Sequence, residues 1–358
     1  MTVASAISPP AMDPETSSAT AREIVDLEQK CRISVDAESL TRLRDLRVNG
    51  GLSHIRRGSQ TGIRDEPCPP HAADPFPGLT GALPEVEASE LTIDVLAGAI
   101  RHHGSLIVRN LADENFVAEM RDQIERVLDS CNLFYSTNGK VRASEALSGD
   151  GYDPRWFNPS DAIAEYFDKR EVGFLKRTGS VYTNLSPQAA YSMSEFFHQA
   201  GLKRLLTDYF NDEPCTSFRK SVLRRAQPLK MPADWHQDGA FMTEDIKSIN
   251  LWLSLSECGE GTDCPGMDLV PKRLPDIVPP GINGAAFKWS VSAKTVSEQF
   301  KDTPPVRPWF GEGDAIFFDH LNLHATSYDP VFTKQRYAIE TWFFSRSHNA
   351  ENQIPVLW

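Results

Sequence analysis

The sequence predicts a mixed α+β protein in which a helical N-terminal layer packs on a mainly β core. Two observations predict this class. Apolar residues recur at helical spacing as far as Phe210, whereas short β-rich runs divided by Gly and Pro turns fill most of the remaining chain. About eight short strands at such spacing are typical of a sandwich or barrel. We expect a tail and wrapping arm over 1–84 and a single domain over 85–358, with the helical layer in 85–212 and the core in 213–346.

The N-terminal region is predicted to hold short helices and a long irregular arm. The clearest helical pattern covers Asp36–Val48 and stops at the turn-favouring run Asn49-Gly50-Gly51. Residues 51–84 are dense in Gly, Pro, Arg and Asp without sustained periodicity, which indicates a loop or arm. This arm and the irregular, aromatic-bearing residues 139–179 are candidate lids over a pocket.

Capping signals divide the helical layer into separate elements. Thr92 and Asp113 precede apolar stripes at helical spacing, and Ser186-Pro187 is an N-cap and first-turn signature. The predicted elements are a helix from Thr92 to Gly104, a strand over Ser105–Arg109, a helix from Asp113 as far as Cys131, and a long helix from Ser186 to about Phe210, weakened by Gly201.

The β core is predicted from runs rich in β-branched and aromatic residues between turn residues. In one run, Ile249, Leu251 and Leu253 alternate with Asn250 and Trp252, so that one face is apolar core. The other face fits either a pocket wall or a half-exposed edge strand. The predicted strands are Ser217–Arg225, Ala233–Ala240, Ile246–Ser256, Met267–Pro271, Ala285–Val291, Val306–Trp309, Ala315–His324 and Arg336–Phe344.

Composition is that of a globular protein and limits the partners. Hydrophobic residues make up 40% of the sequence and charged residues 24%. The net charge of -12 argues against binding to nucleic acid or to anionic membrane surfaces, which attract basic proteins. No apolar run reaches the roughly 20 residues of a membrane helix, and the N-terminus lacks a secretory pattern. The 6 cysteines form no Cys-x-x-Cys pair, so we expect reduced thiols in a cytoplasmic protein.

The stretch that carries chemistry is Trp235-His236-Gln237-Asp238-Gly239. On an extended strand, the side chains of His236 and Asp238 leave the same face because they lie two residues apart. An imidazole beside a carboxylate can hold a divalent metal, and a distant histidine can complete three ligands on one side of it. Two histidines and one carboxylate, with open positions opposite, suit non-haem Fe(II) that also binds a cosubstrate and oxygen.

Two histidines are candidates for the third ligand. After the Gly313-Asp314 turn, His320 and His324 fall on one face of a predicted strand, and either can bind metal. His324 follows His236 at a distance that leaves room for several strands before the chain returns beside the His-x-Asp strand. Arg336, at the start of the next strand, can form a bidentate pair with the far carboxylate of a diacid bound to the metal.

Four stretches together resemble the phytanoyl-CoA dioxygenase family of Fe(II)/2-oxoglutarate oxygenases. They are His236-Gln237-Asp238, Gly313-Asp314, His324-Ala325-Thr326 and Arg336. The resemblance covers roughly 91–344. It implies a double-stranded β-helix, a cupin-like jelly-roll core, with helices packed on one side.

The family's pattern implies that His236, Asp238 and His324 are the iron ligands. The related halogenases replace this carboxylate with a small residue so that chloride binds iron, and Asp238 therefore favours an oxygenase. The implied reaction consumes 2-oxoglutarate and O2 and yields succinate and CO2. An unactivated C–H bond of a small organic substrate is hydroxylated or otherwise oxidised in the process.

The resemblance also implies three cosubstrate contacts. Arg336 is expected to pair with the distal carboxylate of 2-oxoglutarate, Thr326 to assist that arginine, and Trp252 to line the cosubstrate pocket. The sequence departs from the family at Leu269-Val270-Pro271-Lys272-Arg273, where many members carry a Pro-Gly-Ser-His-like turn. We therefore expect a different pocket rim.

The substrate and one rival function stay open. A cupin-like protein that binds metal or ligand without oxygen chemistry would explain the His-x-Asp pair, but it gives no reason for Arg336. An acyl-CoA, an amino-acid derivative and a secondary metabolite are all possible substrates, and the oligomeric state is unknown. The basic segment Arg219–Lys230 either attracts an anionic substrate or is a solvated strand face that balances nearby acids.

Overall fold

The computed structural model describes residues 14–58, 67–138, 152–242 and 246–358. No helix in these ranges is both long and apolar enough to cross a membrane, and the 6 cysteines are free thiols. The helices are α1 (Pro14–Ile33), α2 (Ala37–Gly58), α3 (Ile93–His103), α4 (Glu114–Ser136), α5 (Lys169–Arg177), α6 (Pro187–Gln199), α7 (Leu202–Phe210) and α8 (Ala293–Gln299). The strands are β1 (Glu85–Glu87), β2 (Ser105–Arg109), β3 (Ser180–Tyr182), β4 (Pro214–Ala226), β5 (Trp235–His236), β6 (Ser248–Ser254), β7 (Met267–Leu269), β8 (Ser290–Val291), β9 (Ala315–Phe318), β10 (His324–Thr326), β11 (Arg336–Ser345) and β12 (Pro355–Val356).

Within the described residues, the strands form two sheets. The larger sheet has 8 strands in the order β1-β2-β9-β6-β11-β4-β12, with β3 also paired to β4. Its pairs are antiparallel except that of β1 with β2. The smaller sheet has 4 antiparallel strands in the order β7-β10-β5-β8. The predicted combination of helices with a β core is therefore confirmed, and the larger sheet is mainly antiparallel.

The large sheet is buried on both faces because each face packs against a different layer. Leu251 joins helix residues such as Ile124 in one apolar cluster. Trp252 and Trp342, on the opposite face, join Leu269 of the small sheet in a second cluster. Every residue of β6 is buried and β6 lies between β9 and β11, so the half-exposed edge strand is wrong. Full burial of large apolar side chains stabilises the fold by about 1.5–3 kcal/mol each.

Helix α2 continues through its predicted stop. It passes Asn49-Gly50-Gly51 without a break and ends at Gly58, so the predicted loop is wrong for residues 51–58. A Cβ on Gly50 would lie 2.8 Å from Leu357 Cδ1, and one on Gly51 would overlap the backbone of Pro355. These glycines therefore serve the close approach of α2 to β12. Residues 59–66 of the predicted arm lie outside the described ranges.

The helical layer differs from the prediction at two places. Gly201 has a left-handed φ of 69°, so the predicted long helix is divided into α6 and α7. Within the predicted irregular stretch, Asp168 caps α5 by accepting a hydrogen bond from the backbone N–H of Arg170. Residues 139–151 of that stretch lie outside the described part of the chain.

Several predicted strands are shorter than expected because the chain turns within them. The predicted strand Ala315–His324 is divided into β9, in the large sheet, and β10, in the small sheet. Between them, the backbone N–H groups of Leu321 and Asn322 donate to the side chain and the carbonyl of Asp319, which closes a turn. The other shortened runs are Ala233–Ala240, which keeps only β5, Ala285–Val291, which keeps only β8, Ile246–Ser256, which becomes β6, Met267–Pro271, which becomes β7, and Val306–Trp309, which joins β7 through an isolated bridge at Val306.

Candidate metal centre

Strand pairing in the small sheet brings two of the predicted ligands together. His236 of β5 lies directly opposite His324 of β10 in the antiparallel register, and their ring centroids are 4.3 Å apart. Asp238 does not lie on the strand, contrary to the prediction, because the chain enters a 3-10 turn at this residue. Gln237 keeps an extended backbone, with φ -113° and ψ 130°, so the carboxylate still returns to the side of His236.

The three side chains form a compact cluster. One ligand atom from each of His236, Asp238 and His324 lies within 4.8 Å of the others. The Oδ2 atom of Asp238 is 3.8 Å from Nε2 of His324, and Nδ1 of His324 is 3.2 Å from the carbonyl oxygen of Asn322. That carbonyl can accept a hydrogen bond from a protonated Nδ1, which leaves Nε2 as the free nitrogen on the side of the carboxylate.

Burial and neighbouring charges set the protonation of the cluster. Burial lowers the pKa of His236 to about 3, with a further lowering from His324, and burial also lowers the pKa of His324. Burial by itself would raise the pKa of Asp238, but the ammonium of Lys220, followed by the two imidazoles, lowers this pKa to about 2. At neutral pH the cluster therefore presents two neutral imidazoles and one carboxylate, as metal binding requires.

His320, the other candidate ligand, lies outside the cluster. It belongs to the turn between β9 and β10, so it does not share a strand face with His324 as predicted. Its Nδ1 is 2.9 Å from Oγ of Ser248, and its carbonyl oxygen accepts a 2.9 Å hydrogen bond from the backbone N–H of Gly239. His320 thus holds the turn after Asp238 in place.

Arg336 is buried together with Trp252. The guanidinium carbon lies 5.3 Å from the centroid of the Trp252 ring, and only 4% of Arg336 is exposed. Its Nη1 donates to the carbonyl oxygens of Pro265 and Gly266, at 3.2 and 2.7 Å, whereas Nε has no partner. Among the described residues, no carboxylate forms an ion pair with this guanidinium. Within the described part of the chain, Arg336 is therefore a buried positive charge without a counter-ion.

Thr326 lies near Arg336 along the sheet, but no hydrogen bond joins their side chains. It pairs with Met267 in the β10–β7 register, one residue from Gly266, whose carbonyl accepts from Arg336. The next residue, Ser327, donates its backbone N–H to the same carbonyl at 3.2 Å. The hydroxyl of Ser327 is completely buried and has no partner. Ser327 is therefore a polar group near the arginine that the sequence prediction missed.

Lys220 is the second residue that the sequence prediction missed. Its Nζ donates to Oδ1 of Asp238 at 2.6 Å and lies 4.3 Å from the centroid of the Phe241 ring. The sequence places it in a basic segment, where an acid-balancing or a substrate-attracting role was open. Four basic residues of that segment are paired in the structure: Arg219 with Glu171, Lys220 with Asp238, Arg224 with Glu340, and Arg225 with Glu125. The segment therefore balances acids, but Lys220 does so inside the candidate site.

Aromatic rings border the cluster on the side of His236. The Trp289 ring stands edge-to-face to the rings of His236 and Phe241, at 5.7 and 5.5 Å. Phe287 stacks on Trp289 at 4.9 Å and is 53% exposed. Because Trp289 directly precedes β8, the pairing of β8 with β5 fixes these rings beside His236. We call Phe241, Phe287 and Trp289 the aromatic rim.

We expect the metal-free protein to lose stability as the pH falls below neutrality. Between its ordinary pKa of 6.5 and its folded-state pKa of about 3, His236 binds a proton only in the unfolded chain. This contribution to stability is present above pH 6.5 and is lost as the pH falls towards 3. Asp238 adds a further loss between 3.8 and about 2. Urea unfolding at several pH values measures the decline, which should be smaller in His236→Gln. An equal decline in that variant would contradict the assignment.

Comparisons with known proteins give only distant structural likenesses. No protein-family model and no curated protein match the sequence. The structure of EctD from S. alaskensis with 2-oxoglutarate and 5-hydroxyectoine is similar over 80% of this chain and 83% of that chain, at 14% identity and a TM-score of 0.46. SnoK, a non-heme alpha ketoglutarate dependent carbocyclase from nogalamycin biosynthesis, is similar over 73% of this chain and 87% of that chain, at 13% identity and a TM-score of 0.44. AviO1 from Streptomyces viridochromogenes Tue57 is similar over 70% of this chain and 93% of that chain, at 15% identity and a TM-score of 0.41. The assignment below therefore depends on the site residues themselves.

Proposed function

We propose that this chain is an Fe(II)- and 2-oxoglutarate-dependent oxygenase that acts on a small organic molecule. One observation carries the proposal: a cluster of two neutral imidazoles and one carboxylate occurs in the same β core as a buried arginine that has no counter-ion among the described residues. Each half of this combination fits one component of the reaction.

The cluster fits Fe(II). Imidazole nitrogen and carboxylate oxygen are suitable donors for this ion, and three protein ligands leave positions for other molecules. The carboxylate oxygen Oδ2 of Asp238 and Nε2 of His324 lie 3.8 Å apart, close enough for both to contact one ion. When bound, iron supplies the activation of oxygen, and the protein's part is to position the substrate and to exclude water.

The buried arginine fits the distal carboxylate of 2-oxoglutarate. Burial without a counter-ion lowers the pKa of Arg336, because the charged form loses hydration that no carboxylate of the described residues replaces. A bidentate carboxylate would supply the missing charge and an acceptor for the unpartnered Nε. The Trp252 ring supports the planar guanidinium from one side. A cupin-like protein without a diacid cosubstrate gives no reason for this residue.

The finer assignments are part of the same proposal. The two sheets would form the double-stranded β-helix, and the His-x-Asp, distal histidine and arginine pattern would relate the chain to the phytanoyl-CoA dioxygenase family. Asp238 supplies a carboxylate at the position that halogenases leave open for chloride, which favours hydroxylation or another C–H oxidation. The substrate would approach over the aromatic rim, whose rings flank His236.

The protein with Fe(II) and 2-oxoglutarate under anaerobic conditions should show a weak visible charge-transfer band. Such a band requires both the metal and the chelating cosubstrate at one centre. Omission of 2-oxoglutarate, or its replacement by succinate, should abolish the band and provides the control. With oxygen added, a metabolite screen scored by succinate formation identifies the substrate class. If iron is bound but no band forms, the cupin-like alternative is favoured.

A further inference from the structure

The carboxylate of Asp238 has two neighbours of opposite character. Its Oδ1 accepts a 2.6 Å hydrogen bond from the Lys220 ammonium, whereas its Oδ2 is 3.8 Å from Nε2 of His324. The two oxygens are therefore distinguishable before any metal arrives. The oxygen beside the imidazole is available to a metal, and the other is occupied by a strong, charge-assisted donor.

Lys220 is fixed on the side of the sheet that faces the cluster. It lies on β4, and its side chain is 19% exposed. The Phe241 ring lies 4.3 Å from Nζ, so the ammonium is held between the aromatic face and the carboxylate. Among the described residues, Asp238 is the only carboxylate within ion-pair distance of Lys220. The nearby Glu340 is engaged by Arg224.

Lys220 is also remote from the cosubstrate's expected anchor. Arg336 pairs with Ala226 at one end of β4, and Lys220 lies six residues earlier in the same strand. Six residues of extended chain span about 20 Å. Lys220 therefore contacts Asp238 and Phe241, and it lies too far from Arg336 to help hold the distal carboxylate of 2-oxoglutarate.

We propose that Lys220 is a positioning residue that restricts Asp238 to one metal-binding oxygen and weakens that oxygen as an electron donor to iron. The proposal rests on the iron centre proposed above. Restriction to one oxygen keeps a coordination position open for 2-oxoglutarate or oxygen. The positive charge beside the ligand makes Fe(II) harder to oxidise, since Fe(III) is repelled more strongly than Fe(II).

Three substitutions separate the two effects. Lys220→Gln removes the charge but keeps a hydrogen-bond donor, Lys220→Met removes both, and Lys220→Arg keeps both. Lys294→Met is the matched control, because that lysine is on α8 with 67% of its side chain exposed. All are compared as full-length protein with stoichiometric metal.

We expect the iron charge-transfer band to move to longer wavelength, and the Fe(III)/Fe(II) midpoint potential to fall, in both Lys220→Gln and Lys220→Met. In Lys220→Met the freed Oδ1 should also bind metal, so that 2-oxoglutarate affinity falls by about 10-fold or more. Lys220→Arg and Lys294→Met should match the wild type. A wild-type band and potential in Lys220→Gln would overturn the proposed effect of charge.

Co(II) in place of iron tests the coordination without cosubstrate. A second carboxylate oxygen raises the coordination number and weakens the visible d–d absorption, so Lys220→Met should absorb less than Lys220→Gln and the wild type. Equal spectra would overturn the restriction to one oxygen. If the wild type binds Co(II) but forms no charge-transfer band with Fe(II) and 2-oxoglutarate, the proposed oxygenase function fails. The Co(II) spectra would still show whether Lys220 restricts Asp238 to one metal-binding oxygen. If the wild type binds no metal, both proposals fail.

Discussion

We expect His324→Ala to lose more than about 100-fold in affinity for a divalent metal, because residues that merely support a metal ligand already cost about 10–100-fold when replaced. The substitution removes one of the three donors whose ligand atoms lie within 4.8 Å of one another. The remaining His236 and Asp238 would hold the ion by two atoms. Isothermal titration calorimetry with Co(II) or Mn(II) measures the loss of metal affinity.

His320→Ala is the matched control for this prediction. It removes a second, partly buried imidazole four residues earlier in the chain, in the turn between β9 and β10, but one whose Nδ1 contacts Ser248 instead of the cluster. We expect it to lower stability by about 1 kcal/mol through the lost hydrogen bond. Its metal affinity should fall less than about 10-fold, the low end for a supporting residue. Loss of metal in His320→Ala with retention in His324→Ala would reverse the ligand assignment.

The sequence identifies the candidate cluster and favours His324 over His320 through its distance from His236 and through the family pattern, but it does not show why His320 lies outside the cluster. The pair His236 and Asp238 is visible because its members are two residues apart, and the extended backbone of Gln237 preserves that relation. The choice of His324 depends on a turn that begins at Asp319 and divides the predicted strand. That turn is stabilised partly by the bond from Gly239 to His320, a tertiary contact that local sequence does not encode.

Lys220 and Ser327 show the limit of sequence reasoning more clearly. Lys220 reaches Asp238 only because β4 and the turn after β5 meet in the folded core. Ser327 lies beside the Gly266 carbonyl because β10 pairs with β7. These strands are far apart in the sequence, so local sequence does not indicate that they pair. Both residues are ordinary members of their segments. Their significance comes from contacts across elements, which composition and periodicity cannot supply.

The fold was predictable in class and much less so in its boundaries. Caps at Thr92 and Asp113 locate α3 and α4 correctly because capping is a local interaction. Local sequence predicts a helix stop at Gly50 and Gly51, whereas in the fold these glycines admit Leu357 and Pro355 against α2. The predicted strands are too long where hydrogen bonds from other elements turn the chain, as after His236, where the backbone N–H of Gly239 donates to the carbonyl oxygen of His320.

Replacement of Arg336 by Met should abolish most 2-oxoglutarate binding while leaving the metal-free protein folded. Loss of a desolvated charge pair costs about 2–5 kcal/mol, equivalent to about 30- to 4000-fold in affinity. Stability should change by less than about 1 kcal/mol, because the arginine lacks a counter-ion before the cosubstrate binds and replacement of a buried charge by an apolar side chain is often neutral or stabilising. Calorimetric titration with 2-oxoglutarate and urea unfolding measure the two effects.

Arg307→Met is the matched control, because it makes the same chemical change at an arginine that already has a carboxylate partner. Arg307 donates to the carboxylate of Asp268 at 2.7 Å and 27% of its side chain is exposed, so its charge is already balanced. We expect Arg307→Met to lose up to about 1 kcal/mol of stability and to keep 2-oxoglutarate affinity. Parallel loss of cosubstrate in both variants would mean that the deficit reflects general damage to the β core. A loss confined to Arg336→Met, with metal affinity intact, would support the Arg336 guanidinium as the partner of the distal carboxylate, because both substitutions replace a guanidinium by the same apolar side chain.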